Sequence, residues 1–327
     1  MNISIRPLVL PVAALVFLGT SIFSSAADPA PDIPSRWKLA DSNSITWEVA
    51  NNPADKAAQG KRFNAQCASC HTDTIEMSGL QISPIITYGT YGLKDRAGLV
   101  LKRTIVWPLL RKSNPRPGAR THDHWAETFG KEVSPRFVVD GTEIKDENVL
   151  RFRHTQGTLV IESELGPKNE IALTRTISPS VDAPTYIEEY AFKNRSDRPV
   201  RLAATATPKT FTTDAKRGMF GSYGIAAVFG DIKETTLAPG DTVSSALFIT
   251  GSKVSEVPTP TSPATPPASS ESYLAARHAA VANWQNKLRL ETPDPVLNTA
   301  FAFAKIRAAE SIFKTAAGPL HSPGGNS

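Results

Sequence analysis

The chain's two cysteines fall within one short run, Cys67-Ala68-Ser69-Cys70-His71. On a turn of helix, Cys-x-x-Cys-His spacing sets two thiols where they can add to the two vinyl groups of a porphyrin. The adjacent imidazole can then ligate the iron. Cys67, Cys70 and His71 are therefore candidates for covalent haem c, with His71 as iron ligand and a redox partner implied. Composition alone gives such a run on the order of once in several thousand chains. Two other readings of these residues stay open: a disulfide or thiol pair in an exported protein, and coincidence or a scrambled frame. A zinc site lacks a fourth ligand at ordinary spacing.

A haem fold also needs a distal ligand. Beyond the leader, the methionines are Met77 and Met219. Met77 is too close to His71 to reach the opposite face, which leaves His122, His124 and His154 as alternatives. Thr121-His122-Asp123-His124-Trp125 also reads as a His-x-His metal pair or as a polar loop. Tyr88, Tyr91, Trp107 and Trp125 read as a sugar-stacking platform or as core. Arg103, Arg111, Arg116 and Arg120 read as a solvated basic loop, and Asn194-Arg195-Ser196 as a glycosylation acceptor or a turn.

The elements that must position these groups follow from composition and pattern. At 40% hydrophobic and 20% charged residues, the 327-residue chain is neither disordered nor a multi-span membrane protein. Pro 26 against Gly 20 favours short strands and turns over a helical bundle. A formal charge of +5, scattered along the chain, gives no nucleic-acid footprint. Residues 1–27 read as a signal peptide, with Arg6, an apolar run from Leu8 to Leu18, and Ser24-Ser25-Ala26-Ala27 for cleavage. The expected location is periplasmic or extracellular, with no stable membrane span after cleavage.

Residues 28–44 form an N-terminal extension, and 45–254 read as strand after strand. Leu99 to Trp107, Thr158 to Glu162, Glu170 to Ile177 and Tyr186 to Phe192 read as clear strands, and most of the strand-like runs alternate apolar with polar residues, as half-buried antiparallel strands do. Turns are marked by Asp140-Gly141, by Asn194 to Pro199 and by Ala238-Pro239-Gly240-Asp241. The expected fold is mainly β: a large antiparallel β-sandwich, then a Pro-rich linker over 255–272 and two C-terminal helices in 273–327. The first helix is expected over Tyr273 to Leu290, with Trp284 and Leu288 on one side. The second, capped by Asp294-Pro295, is expected from Val296 to Thr315. Leu297, Ala300, Phe301, Ala304 and Ala308 line one of its faces; Phe303, Ile306 and Glu310 lie on another. A helix apolar on two sides needs neighbours on two sides.

Two stretches resemble exported six-hairpin glycosidases, which carry a β-sandwich ahead of an (α/α)-toroid catalytic domain. One runs from His71-Thr72-Asp73-Thr74-Ile75-Glu76-Met77-Ser78-Gly79 through Ile85-Ile86-Thr87-Tyr88-Gly89 to Thr104-Ile105-Val106-Trp107-Pro108-Leu109-Leu110-Arg111. The other runs from Thr292-Pro293-Asp294-Pro295-Val296-Leu297-Asn298-Thr299-Ala300-Phe301 through Arg307-Ala308-Ala309-Glu310-Ser311-Ile312-Phe313 to His321-Ser322-Pro323-Gly324-Gly325. The resemblance implies a sandwich that shapes a sugar-processing toroid, of which residues 273–327 would be the truncated start. Its partners would be carbohydrate or that helical domain. Glycoside hydrolysis needs two carboxyl groups at a set separation, and in the family they belong to the toroid. No catalytic residue is carried over to this chain. Glu76 and Glu310 fall inside matched segments without being paired, and Glu310 is expected to be a buried structural carboxylate. Residues 54–72, with Ala57 to Gln66 ahead of Cys67, resemble the first helix of a small cytochrome c inserted into the sandwich.

Overall fold

The computed structural model describes residues 36–41, 43–49, 70–92, 96–113, 123–254, 269–315 and 318–321. All belong to one unit, Ser35–Ser327. The expected leader, most of the cytochrome-like segment including Cys67, the basic residues Arg116 and Arg120, and the linker over 255–268 lie outside the described residues.

The chain is mainly β, as the alternation requires. The largest sheet has nine antiparallel strands, in the spatial order β1 (Lys38–Asp41), β2 (Ser44–Glu48), β9 (Asn148–Thr155), β10 (Thr158–Leu165), β11 (Ile171–Pro179), β12 (Thr185–Asn194), β17 (Thr242–Lys253), β15 (Tyr223–Phe229) and β14 (Lys209–Thr212). A four-stranded sheet runs β3 (Cys70–Glu76), β4 (Ser83–Gly92), β5 (Ala97–Arg111) and β6 (His124–Phe129). A second runs β16 (Ile232–Leu237), β13 (Val200–Thr205), β7 (Arg136–Val139) and β8 (Thr142–Ile144).

Side-chain phase explains the layering. On β12, Tyr186, Tyr190 and Phe192 are buried in one continuous core with Trp107 of β5 and Phe137 of β7. Phe137 meets Phe192 edge-on, with 5.6 Å between ring centres. Ile187, one residue out of phase, joins Ala246 and Phe248 in a separate cluster on the other side, against Tyr273. Both small sheets therefore pack on one face of the large sheet, and a helix covers part of the other. Pro108 sits inside β5 where its pairing with β6 slips, between Trp107 and Arg111. A residue with no N–H to give is tolerated at such a break.

Helix α1 spans Ser270–Asn286 and α2 spans Pro295–Glu310. The Ser269 side chain caps α1, accepting from Ser272 N. The Asp294 side chain caps α2, accepting from Val296 N and Leu297 N, with Pro295 following as expected. Both helices stop earlier than the sequence suggested. Leu288 lies beyond α1 and is exposed; the buried positions of α1 are Leu274, Arg277 and Val281. After α2, Ile312–Thr315 forms β18 and pairs with β19, Gly318–His321. Ile312, Phe313 and Thr315 favour a pleated strand over another helical turn. Among the described residues, no helix is long and apolar enough to cross a membrane.

Candidate functional site

The described part of the Cys-x-x-Cys-His run is strand. Cys70 and His71 open β3, and their backbones pair with Tyr91 and Thr90 of β4. Extended backbone at these two residues differs from the helical turn on which the haem geometry rests. Cys67 lies outside the described residues.

The distal candidates are placed as follows. His122 lies outside the described residues. His124 is buried and meets Phe313 edge-on at 6.4 Å. His154 stands inside an aromatic cluster: its Nε2 is 2.7 Å from the Tyr88 hydroxyl, and its ring lies 4.9 Å from Trp37. Trp37 in turn donates Nε1–H to Asp73 at 2.8 Å. Burial lowers the His154 pKa from 6.5 to about 3, with the Arg307 charge adding to the effect, so the ring is neutral. No group of three or more His, Cys, Asp or Glu side chains among the described residues could hold a metal ion.

The aromatic platform is core. Tyr88, Trp107 and Trp125 are buried, and only Tyr91 stays half-exposed, with its hydroxyl donating to Asp146. Asn194 is likewise buried, and its amide builds the turn. Nδ2 donates to Arg198 O and Leu237 O, while Oδ1 accepts from Ser196 N and Ser196 Oγ. A glycosylated Asn194 has no place in this arrangement.

The most highly charged spot in the core was missed by sequence reasoning. Glu188 of β12 is fully buried and meets four side chains. Arg103 of β5 donates Nε–H to one carboxylate oxygen at 2.6 Å and Nη2–H to the other at 2.7 Å. The Tyr186 and Tyr190 hydroxyls each donate at 2.6 Å. Arg175 Nε lies 2.9 Å from the carboxylate, while the Arg175 Nη atoms donate to Glu147 at 3.0 and 3.2 Å. Desolvation opposes ionisation here, yet the Arg103 charge and hydrogen bonds prevail and hold the Glu188 pKa at about 2. Arg103 is thus a core residue and not part of a solvated loop. A signal was available, because Glu188 shares phase with Tyr186 and Tyr190, Arg175 with Leu173 and Ile177, and Arg103 with Ile105 and Trp107. Locked as an anion with no exposed surface, Glu188 can tie two sheets together but cannot reach a substrate. A cavity of about 310 Å³ meets the Arg175–Glu147 end of this network, lined also by Phe137, Lys131 and Asp146.

The second polar cluster lies where the helices meet the sandwich. Gln156 and Gly157 form the tight turn from β9 to β10, with φ of 49° and 70°. The Gly157 carbonyl accepts from Arg277 Nε at 3.1 Å and from Nη2 at 3.0 Å, while Arg277 Nη1 donates to Ser78 O at 2.9 Å. The same guanidinium pairs with Glu310 of α2, which also pairs with Arg307. Arg307 reaches back to the Glu76 carbonyl. One buried arginine on α1 therefore holds a sandwich turn, a sandwich loop and the end of α2. The close approach requires glycine: a Cβ on Gly157 would lie 2.6 Å from Val281 Cγ2 and 3.1 Å from Arg277. Glu310 is the buried structural carboxylate expected from the sequence. The Glu76 carboxylate accepts from Ser83 Oγ at 2.5 Å, and the Glu76 carbonyl joins this cluster through Arg307.

Only one of the two faces of α2 has the neighbours that its sequence asks for. Thr299, Ile306 and Glu310 are buried, whereas Leu297, Ala300, Ala304 and Ala308 are exposed. Beside the helices lies a cavity of about 520 Å³, lined by Asp41, Gln156, His278, Gln285, Phe301 and Lys305 among others. Lys305 Nζ donates to Gln285 O at 2.7 Å and to Leu288 O, holding the end of α1 against α2. No family model and no curated protein matches this chain.

Proposed function

We propose that this chain is the exported sandwich module of a six-hairpin glycosidase-like protein that processes carbohydrate. Its role is that of a scaffold: it holds a helical hairpin in a fixed pose, and it contributes no catalytic carboxylate pair. The observation that carries the reading is the Arg277 clamp, which joins α1, the end of α2 and two sandwich segments through one buried guanidinium. The local sequence resemblance, the mainly β fold and the helical hairpin that follows it are consistent with this role. The bulk of the carbohydrate chemistry then belongs to a helical domain that uses the exposed α2 face. Glu188 and Glu310, the deeply buried glutamates of the two polar clusters, are committed to arginines and are closed to sugar.

Release of reducing ends from a panel of polysaccharides is the test. The chain alone should release none above a heat-denatured control. Release that disappears on Glu76→Gln or Glu310→Gln would place the chemistry within this chain and overturn the scaffold reading. The haem reading at Cys67, Cys70 and His71 rests on the sequence motif.

A further inference from the structure

One end of the sandwich gathers side chains that the scaffold role leaves unexplained. Met219, Phe220 and Val254 are large apolar residues with 47%, 45% and 45% of their surface exposed. Backbone contacts make them neighbours. Lys112 forms a β-bridge with Gly218. Met219 N donates to Arg111 O at 2.8 Å, Ser113 N to Arg217 O at 2.7 Å, and Val254 N to Ser222 O at 3.1 Å. The loop before β15 and the ends of β5 and β17 thus form one tip.

Cations surround the apolar group. Arg111, Lys112, Lys216, Arg217 and Lys253 belong to these segments, against the acids Asp123 and Asp214. The Asp214 carboxylate accepts from Lys216 N of its own loop at 2.9 Å, and Asp123 lies close enough to Arg111 to offset part of the burial that lowers the Arg111 pKa. Lys253 Nζ stands 5.0 Å over the Phe220 ring, and the Arg217 guanidinium 5.2 Å over Trp125.

Single exposed apolar residues are ordinary, but adjacent ones mark contact surfaces. An apolar tip collared by cations fits a medium with an apolar interior and an anionic skin. Phe220 and Met219 would enter the acyl boundary while the flexible lysines stay at headgroup level. A polyanion would use the cations but leave Met219, Phe220 and Val254 in water. We propose that this tip is a peripheral docking surface for an anionic lipid bilayer. The inference is independent of the carbohydrate reading.

Vesicle co-sedimentation tests it, using phosphatidylcholine vesicles with and without one-third phosphatidylglycerol. The chain should sediment with the anionic vesicles at low salt, bind the zwitterionic ones far less, and dissociate as salt rises. Phe220→Ser and Met219→Ser should each weaken binding about tenfold, and Lys216→Gln about fivefold. All three sites are exposed, and unchanged circular dichroism would show that the variants are folded. Equal binding to both vesicle types overturns the proposal. So does heparin binding that is as tight as vesicle binding and indifferent to Phe220→Ser, which would assign the tip to a polyanion.

Discussion

Glu188 shows how one carboxylate organises a β-sandwich. With two arginines and two tyrosines around it, the group stabilises the fold only as an intact set. Glu188→Gln leaves the buried Arg103 guanidinium without its counter-charge and Arg175 with Glu147 alone, and should cost roughly 3–5 kcal/mol, read as a lower urea midpoint at unchanged slope. Its pKa of about 2 against 4.5 fixes the sign with pH. The contribution is complete above about 4.5 and is lost as pH falls through about 2, so the variant's stability should vary less across that window. His154 titrates in the opposite chemical sense with the same outcome. Its native pKa of about 3 lies below 6.5, so between these values the unfolded chain binds a proton that the native ring refuses. Stability should therefore rise from pH 3 to 6.5 and then level. His154→Phe should flatten that rise in urea titrations, while the Tyr88 hydroxyl, losing its partner, costs about 1–2 kcal/mol at neutral pH. Neither role was legible in the sequence, which names the residue types and their strand phase but not the cross-sheet partner. Arg103 and Glu188 are brought together only when β5 is laid over β12.

At the scale of elements, the sequence was most informative where the physics is local. Short apolar and alternating runs located β5, β10, β11 and β12, and Asp294-Pro295 located the start of α2. Asp140-Gly141 forms the two-residue turn between β7 and β8, with φ of 48° and 79°. The boundaries missed were the helix ends, where Ile312 and Phe313 favour a hairpin that no periodicity announced. The turn at Gln156-Gly157 was not singled out, although it carries the helix contact. Gly157→Ala tests that contact twice over, since the position has positive φ and the new Cβ meets Val281. The expected result is a destabilisation of about 1–3 kcal/mol, seen in thermal unfolding, with α1 losing amide protection first. The candidate site was only partly legible: Glu310 was expected as a buried structural carboxylate, whereas Arg277 was not recognised as its partner.

As a whole, the molecule is a polar-keyed sandwich joined to a clamped helical hairpin with one open apolar face. The Cys-x-x-Cys-His motif stands apart from that architecture, because its described residues open a strand. A pyridine haemochrome spectrum, taken after export in a host that matures c-type cytochromes, decides it. A covalent haem band abolished by Cys67→Ala and Cys70→Ala would add a redox function to the scaffold. A colourless protein of the expected mass would leave the two cysteines as a thiol pair or disulfide.

The clamp is tested most directly by amide hydrogen exchange on the wild type and on Arg277→Ala. Exchange in 270–310 should accelerate at least about a hundredfold while β10, β11 and β12 keep their protection, because only the hairpin loses its anchor. Arg277→Lys should not restore it, since an ammonium cannot span Gly157 O, Ser78 O and Glu310 together. Unchanged protection of the hairpin in Arg277→Ala would rule out the Arg277 clamp and place the joint elsewhere.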